Sequence, residues 1–492
     1  MFARNLTMMT DFYEFTMSQA YFEAGKKDEI AVFDAFFRKN PLKGGYGVMG
    51  GVDKIIDFVK NIHFTEEDIA YLRGTGQFTE DFLTYLKDFK FTGDLYAVLD
   101  GTPVFANEPL VTVKAPIIEA QIIETILLSY LNANIMYTTA ARRVVEAAQG
   151  TGVMEFGARR ALGPEAAVEA SKCAVIAGCV GTSNVLAGQE YGLKVMGTMA
   201  HSLVTEADSE YEAFLNYAKA YPNNCVLLVD TYDVLKSGVP NAIRVAKEYL
   251  IPNGYTLKGI RIDSGDLAYL SKEAKKMFVE AGLEDVKICL SNGLNENTIQ
   301  SLKQQGAVMD SIGLGDNIVF PDNGRVGVVY KNVAVKQGEE FVSRIKVSND
   351  MAKAITPAYK KVYRFYDKDT GYALGDVITL FDERIPKNKY TLIDPLNEHN
   401  TLTIKNYNVK ELQEAIFVGG ELVYQDPTIE EKKQYCDEQM GTLYPEVKRT
   451  ENPHLYYIDL SRKLLQLKKE LIKQAKAQTV ENPVDYQLTK KL

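Results

Sequence analysis

Cysteine is scarce in this chain: five in 492 residues, at Cys173, Cys179, Cys225, Cys289 and Cys436, with no CxxC pair. That pattern excludes a zinc ribbon and a disulfide framework. Histidine is scarcer still, with four. Long apolar runs are missing: the least charged stretches, after Glu124 and after Lys172, are broken by Asn, Ser, Thr or Gly, so no membrane span is expected. The start, Met1-Phe2-Ala3-Arg4-Asn5, leads into polar residues without an apolar stretch, and no secretory signal is expected. A basic excess is missing as well. The net charge of −9 argues against a general nucleic-acid binder, while leaving room for a local basic pocket. P-loop, HExxH and GxSxG motifs are absent. Gly45-Tyr46-Gly47-Val48-Met49-Gly50 matches a GxGxxG string, but no strand ends just before it and no acid closes a second strand about 20 residues on, so it is not read as a dinucleotide fingerprint. What remains is an ordinary globular balance, 46% hydrophobic and 25% charged, in a chain too long for one simple core. The expectation is a cytoplasmic enzyme of more than one domain, with neither nucleic acid nor membrane as partner.

Two rhythms divide the chain. Residues 11–24 read as a helix capped by Thr10, residues 29–37 as a strand, and helices follow near 52–61, 65–73 and 79–88. Short strands are expected near 95–98 and 103–106, and Pro116 opens a helical pattern that runs, with a break, to about 149. From residue 150, short apolar runs alternate with helical patterns. The runs are 152–156, 194–197, 225–229, 258–262, 286–290 and 308–312. This spacing suits β/α units of a parallel barrel, although a doubly wound sheet gives a similar string. The expected domains are 1–150 (an α/β domain with a linking helix), 151–345 (an α/β barrel) and 346–492 (a segment packing back on the first domain). Within the last, residues 463–477 form a basic amphipathic helix with Leu464, Leu467, Leu471 and Ile472 on one face.

The strand ends carry the chemistry. In order they are Glu155-Phe156-Gly157, Thr198-Met199-Ala200-His201, Asp230-Thr231-Tyr232-Asp233, Asp263-Ser264-Gly265-Asp266, Ser291-Asn292-Gly293 and Gly313-Leu314-Gly315-Asp316. Six loops in register, built of polar and glycine residues, mark the end where barrel active sites lie. His201 sits among small residues that leave its imidazole accessible; a lone histidine is more often structural, and the register with the other loops favours function. Asp263, at a strand end before a helix, suits a sugar hydroxyl pair or Mg²⁺, or merely caps the helix. Arg261 alternates with Ile260 and Ile262, so it faces the barrel interior, where a guanidinium needs an anion. Phe156 and Arg159 pair a ring for stacking with a cation for phosphate, with Phe156 as plain core the rival reading. Ser291-Asn292-Gly293 and Gly313-Leu314-Gly315 offer backbone N–H groups to a phosphate.

These residues carry a resemblance. The blocks LTMMTDFYEFTMSQAY (Leu6 to Tyr21), FFRKNPLKGGYGVMGG (Phe36 to Gly51), EFGARRALG (Glu155 to Gly163), GTSNVLAG (Gly181 to Gly188), GTMAHSLVTE (Gly197 to Glu206), IRIDSGDL (Ile260 to Leu267) and GVVYKNVAV (Gly327 to Val335) make the chain similar to the nicotinate phosphoribosyltransferase family. The resemblance implies an α/β fold: an irregular α/β barrel of the quinolinate-phosphoribosyltransferase type with an N-terminal α/β domain. It implies that nicotinate joins the ribosyl carbon of 5-phosphoribosyl 1-diphosphate (PRPP), giving nicotinate mononucleotide and pyrophosphate for NAD salvage. It implies Mg²⁺, ATP as co-substrate through a phosphohistidine at His201, and a homodimer with shared active sites. On the matching positions, Tyr13 and Phe156 would sandwich the pyridine ring, with Thr198 and Arg261 near its carboxylate. Asp263 would hold ribose hydroxyls or Mg²⁺. Ser291, Asn292, Gly293, Gly313 and Gly315 would cradle the 5-phosphate. Arg159, with Arg38 or Lys331 supplied across a dimer, would meet phosphate charge.

Asn184 bears on the base. The sibling nicotinamide phosphoribosyltransferases carry an acid there, which suits an amide and repels a carboxylate, so a neutral side chain favours nicotinate. Asp316-Asn317 departs from the Thr or Ser common in the family near Gly315. Two readings compete from other classes: a barrel hydrolase using a pair from Asp230, Asp233, Asp263 and Asp266, and a metabolite-binding protein without turnover.

Overall fold

The computed structural model describes residues 5–346, 355–395 and 398–481. Local signals set most elements where the sequence places them. Thr65 caps helix Glu66–Gly74 in a reciprocal box with Asp68, and Thr79 caps Glu80–Lys87. Helix Phe12–Glu23 starts one residue later than expected, after Asp11 rather than Thr10, whose hydroxyl donates to Thr7 O instead. The helical pattern after Pro116 is broken at Ile123, giving Ile117–Ile122 and Glu124–Ala148.

The first sheet has seven strands in the order 340–343, 328–337, 30–37, 111–116, 94–98, 413–418 and 421–422. Strand Ile30–Phe37 is central and antiparallel to Val111–Pro116 and Val328–Gln337, with Asp34 opposite both Thr112 and Lys331. Residues from all three expected domains therefore share this sheet. The segment 151–345 gives up its last strands to it, and the C-terminal segment adds an edge. The apolar core beneath is built from Phe33, Phe37, Val113, Leu127 and Ile135 among others, all buried.

The second sheet is parallel throughout, in the order 181–182, 152–155, 311–314, 287–291, 259–262 and 226–228. Among the described residues the ladder is open between its first and last strands. The expected barrel is thus a run of six parallel strands without hydrogen-bonded closure. The apolar run at 194–197 makes one bridge, Thr182 to Val195, instead of a full strand. Gly45 and Gly50 of the GxGxxG string serve packing: a Cβ on Gly50 would lie 2.6 Å from Thr138 Oγ1, and one on Gly45 would strike Val447 O. No described helix is long and apolar enough to cross a membrane.

Candidate active site at the carboxyl ends of the parallel strands

Parallel pairing brings the strand-end loops side by side. Strand Gly259–Ile262 delivers Arg261 and Asp263, and its neighbour Lys287–Ser291 delivers Ser291. Arg261 Nε donates to Ser291 Oγ at 2.8 Å and Nη2 to Asp263 Oδ1 at 2.9 Å, while Ser291 Oγ donates to the same carboxylate oxygen. Burial raises the Asp263 carboxyl, but Ser291, Arg261 and His201 outweigh it and hold the group below the usual carboxylate range. The Arg261 guanidinium lies 5.7 Å from the centroid of the Phe156 ring. A Cβ on Gly313 would stand 2.5 Å from that ring. Gly313 therefore makes room for Phe156.

His201 opens helix His201–Glu206 with its side chain 43% exposed. Its Nδ1 is 3.1 Å from Thr231 Oγ1, and its Nε2 is 3.9 Å from both Asp230 Oδ1 and Asp263 Oδ2. Asp230 is the residue the sequence reading left to the competing hydrolase. Its side chain is 2% exposed, and its Oδ2 accepts from Ser264 Oγ at 2.6 Å and from Asp263 N–H. Its Oδ1 has no hydrogen-bond partner. A buried carboxylate oxygen without a donor suits a cation or a protonated ligand group. No group of three or more His, Cys, Asp or Glu poised for a metal occurs among the described residues.

Glu155 was quoted in the sequence only as a neighbour of Phe156, yet it organises that end of the sheet. Fully buried, its carboxylate accepts from Gly157 N–H, Ser171 Oγ and Thr182 Oγ1, tying strand Gly152–Glu155 to helix Pro164–Ile176 and to strand Gly181–Thr182. Thr182 Oγ1 also accepts from Asn184 N–H. Asn184 caps helix Val185–Tyr191 through Oδ1, which leaves its NH₂ for other partners. Asn292 and Gly293 have φ of 96° and 58°. Among the described residues, no protein acceptor takes the N–H of Asn292, Gly293 or Gly315. Thr198 donates only to Met199 O, at 3.5 Å. Arg159 is exposed and makes no ion pair among the described residues, whereas its neighbour Arg160 pairs with Asp316 at 2.7 Å.

Tyr13 lies on the first helix, Arg38 just after strand Ile30–Phe37 and Lys331 on strand Val328–Gln337. Burial, then Glu124 and Glu14, raise the Tyr13 phenol. Burial lowers the Lys331 amine, Glu124 opposes it, and Lys346 and Arg38 add to the lowering. Arg38 lies 5.8 Å from the Phe36 ring centroid. Among the described residues, no hydrogen bond, ion pair or ring contact joins these three to Phe156, His201 or Asp263.

A glycoside-type hydrolase needs one carboxylic acid held protonated. Asp263 is driven the other way. Unpaired loop amides, a guanidinium over an aromatic ring, and paired acids beside a histidine describe instead a site for a phosphate-bearing substrate with a planar ring, the class of the α/β group-transfer enzymes. Three family models match: the nicotinate phosphoribosyltransferase N-terminal domain over residues 8–132, the family itself over 151–334 and its C-terminal domain over 359–468. A Bacillus subtilis nicotinate phosphoribosyltransferase is 40% identical, with 97% of each chain covered. An Arabidopsis thaliana nicotinate phosphoribosyltransferase 1 is 34% identical over 93% of this chain and 92% of its own. The crystal structure of human nicotinic acid phosphoribosyltransferase superposes with a TM-score of 0.82 at 28% identity, covering 94% of this chain and 99% of that one. The chain belongs to the nicotinate phosphoribosyltransferase family, and is therefore a phosphoribosyl-transferring enzyme.

Proposed function

We propose that this enzyme joins nicotinate to PRPP in the cytoplasm, releasing nicotinate mononucleotide and pyrophosphate, and couples the reaction to ATP hydrolysis through His201. The observation that carries this reading is the convergence of Thr231, Asp230 and Asp263 on one half-exposed histidine beside the Arg261–Phe156 pair. The pyridine nitrogen attacks the ribosyl carbon as its bond to pyrophosphate breaks, leaving cationic character on the ribose. The nitrogen already holds a lone pair, so the enzyme need only position two reactants and neutralise phosphate. Phe156 offers its face to the ring. Arg261 and Thr198 meet the carboxylate, and the neutral Asn184 adds no like charge. The amides of Asn292, Gly293 and Gly315 take the 5-phosphate, with Ser291 and Gly313 shaping the loops and Arg159 adding charge.

Asp230 and Asp263 would hold Mg²⁺, whose charge offsets that of the diphosphate. In the ATP step the imidazole lone pair forms an N–P bond as the γ-phosphoryl leaves ADP. The new anionic group then reorganises the PRPP site, and hydrolysis resets it. Tyr13, Arg38 and Lys331 reach the site of a partner subunit in a homodimer. The fold that goes with this reading is the irregular barrel, curved so that the six loops face one cavity.

The test is mononucleotide formation from PRPP and Mg²⁺ with nicotinate or nicotinamide, with and without ATP, in wild type and His201→Ala. ATP-stimulated turnover of nicotinate, with the stimulation lost in the variant, is expected. Turnover of nicotinamide instead would overturn the role of Asn184, and no turnover with either base would overturn the whole proposal.

A further inference from the structure

A cavity of about 580 Å³ lies away from the strand-end loops, between the antiparallel sheet and helix Arg462–Glu481. Its walls are apolar where Phe36, Ile378, Leu460 and Leu465 face it. Set into them are four cations, Arg38, Lys360, Lys468 and Lys469, against the acids Asp34 and Asp394. These cations are not equivalent. Lys360 is fully buried and has spent its three N–H donors: it pairs with Asp34 at 2.6 Å and donates to Thr356 O and Ala358 O. Lys469 is paired with Glu398. Among the described residues, Lys468 donates once, to Thr356 Oγ1 at 3.2 Å, which leaves two N–H groups. Among the described residues, Arg38 makes a ring contact with Phe36 and no ion pair.

A desolvated ammonium beside another lysine, without an acid of its own, is costly to keep charged. Burial, with Lys360 adding to it, pushes the Lys468 amine down to about 8. An anion in the cavity would reverse that cost, and the apolar walls would hold an apolar body attached to it. Nothing in the proposed reaction uses Lys468.

We propose that this cavity is a second ligand site, in which Lys468 binds the phosphate or carboxylate group of a small metabolite that also carries an apolar portion. Arg38 lines the same cavity, so an anion held there lies next to a cation assigned above to PRPP. The site itself rests on Lys468 and the cavity, and stands apart from that assignment.

Pyridoxal 5′-phosphate serves as a probe on the full-length wild-type enzyme. Its aldehyde condenses with an unprotonated amine, losing water, and borohydride fixes the adduct for peptide mapping. Lys468 is expected to be modified about ten-fold faster by pyridoxal 5′-phosphate than by pyridoxal, ahead of the exposed lysines. Protection by inorganic phosphate identifies a phosphate ligand, and protection by benzoate a carboxylate. Equal rates with the two aldehydes, or no protection by either anion, would overturn the proposal. The readout is chemical labelling rather than turnover, so it stands whether or not the proposed reaction does.

Discussion

Arg261 and Tyr13 sit at opposite extremes of restraint. The Arg261 side chain is 17% exposed and held by Ser291, Asp263 and the Phe156 ring, so its orientation is set before any substrate arrives. Tyr13 is 44% exposed on the first helix. Lys331 lies on strand Val328–Gln337 and Arg38 just after strand Ile30–Phe37, and the two repel one another. Pre-organisation of that first kind is what a group needs to stabilise charge in a transition state. Unspent cations and an exposed aromatic ring are what a surface needs to complete a site elsewhere. On the proposed function, the parallel-sheet loops would hold a finished half of the site, and the group of Tyr13, Arg38 and Lys331 an unfinished one.

Breaking the finished half has the largest effect. Arg261→Ala removes a guanidinium and leaves Asp263 with one donor fewer, and kcat/KM for nicotinate should fall roughly 10²–10³-fold in steady-state assays. The unfinished half should respond through binding. Tyr13→Ala and Lys331→Met should each raise KM about ten-fold, with thermal midpoints close to wild type because Tyr13 is exposed and Lys331 makes no ion pair among the described residues. If either variant instead lowers the midpoint sharply, its residue is structural and the comparison fails.

Gly313→Ala sharpens the comparison at one atom. Its Cβ would come within 2.5 Å of the Phe156 ring, so the ring must move. KM for nicotinate should rise several-fold while KM for PRPP changes less, an outcome opposite to that expected of a phosphate-cradling glycine.

Much of this contrast is legible in the sequence, and the remainder is hidden for physical reasons. The strand-end loops can be read because parallel β/α units repeat along the chain, and each ends in an acid, a histidine or a glycine. The antiparallel sheet cannot be read in the same way. Strand Val328–Gln337 pairs with Ile30–Phe37 some 300 positions away, and no local pattern announces such a partner. Strand Val111–Pro116 escaped because its signal runs directly into a helix. The run at 194–197 read as a strand, yet only Val195 bridges to a neighbour. Asp230 was visible as an acid ending an apolar run, but its burial and orphaned oxygen were not. Glu155 and the buried Lys172, which pairs with Asp53 and Glu169, depend on helices meeting in space.

Asn184→Asp tests base choice with little structural cost. Aspartate also caps a helix, so stability should change by less than about 1 kcal/mol, while KM for nicotinate rises through like-charge repulsion. The smallest effect belongs to Glu14 in the unfinished half. Burial raises its carboxyl to about 8, with Glu124 and Asp11 adding to the rise and the Thr125 hydrogen bond opposing it. The fold therefore favours the protonated acid. Stability on this account falls as pH rises from the ordinary value towards 8, and the loss is complete above it. Glu14→Gln removes the loss, so its thermal midpoint at pH 8 should exceed wild type by roughly 1–3 °C, and the advantage should vanish near pH 4.

Subunit complementation tests the division of the site most directly. Arg261→Ala chains, broken in the finished half, are mixed after unfolding and refolding with Lys331→Met/Tyr13→Ala chains, broken in the other. If the halves meet across subunits, each mixed dimer carries one intact site, and equal mixing restores about a quarter of wild-type activity. If all the residues serve one chain's own site, no mixture exceeds the sum of its parents, and the division drawn here is contradicted.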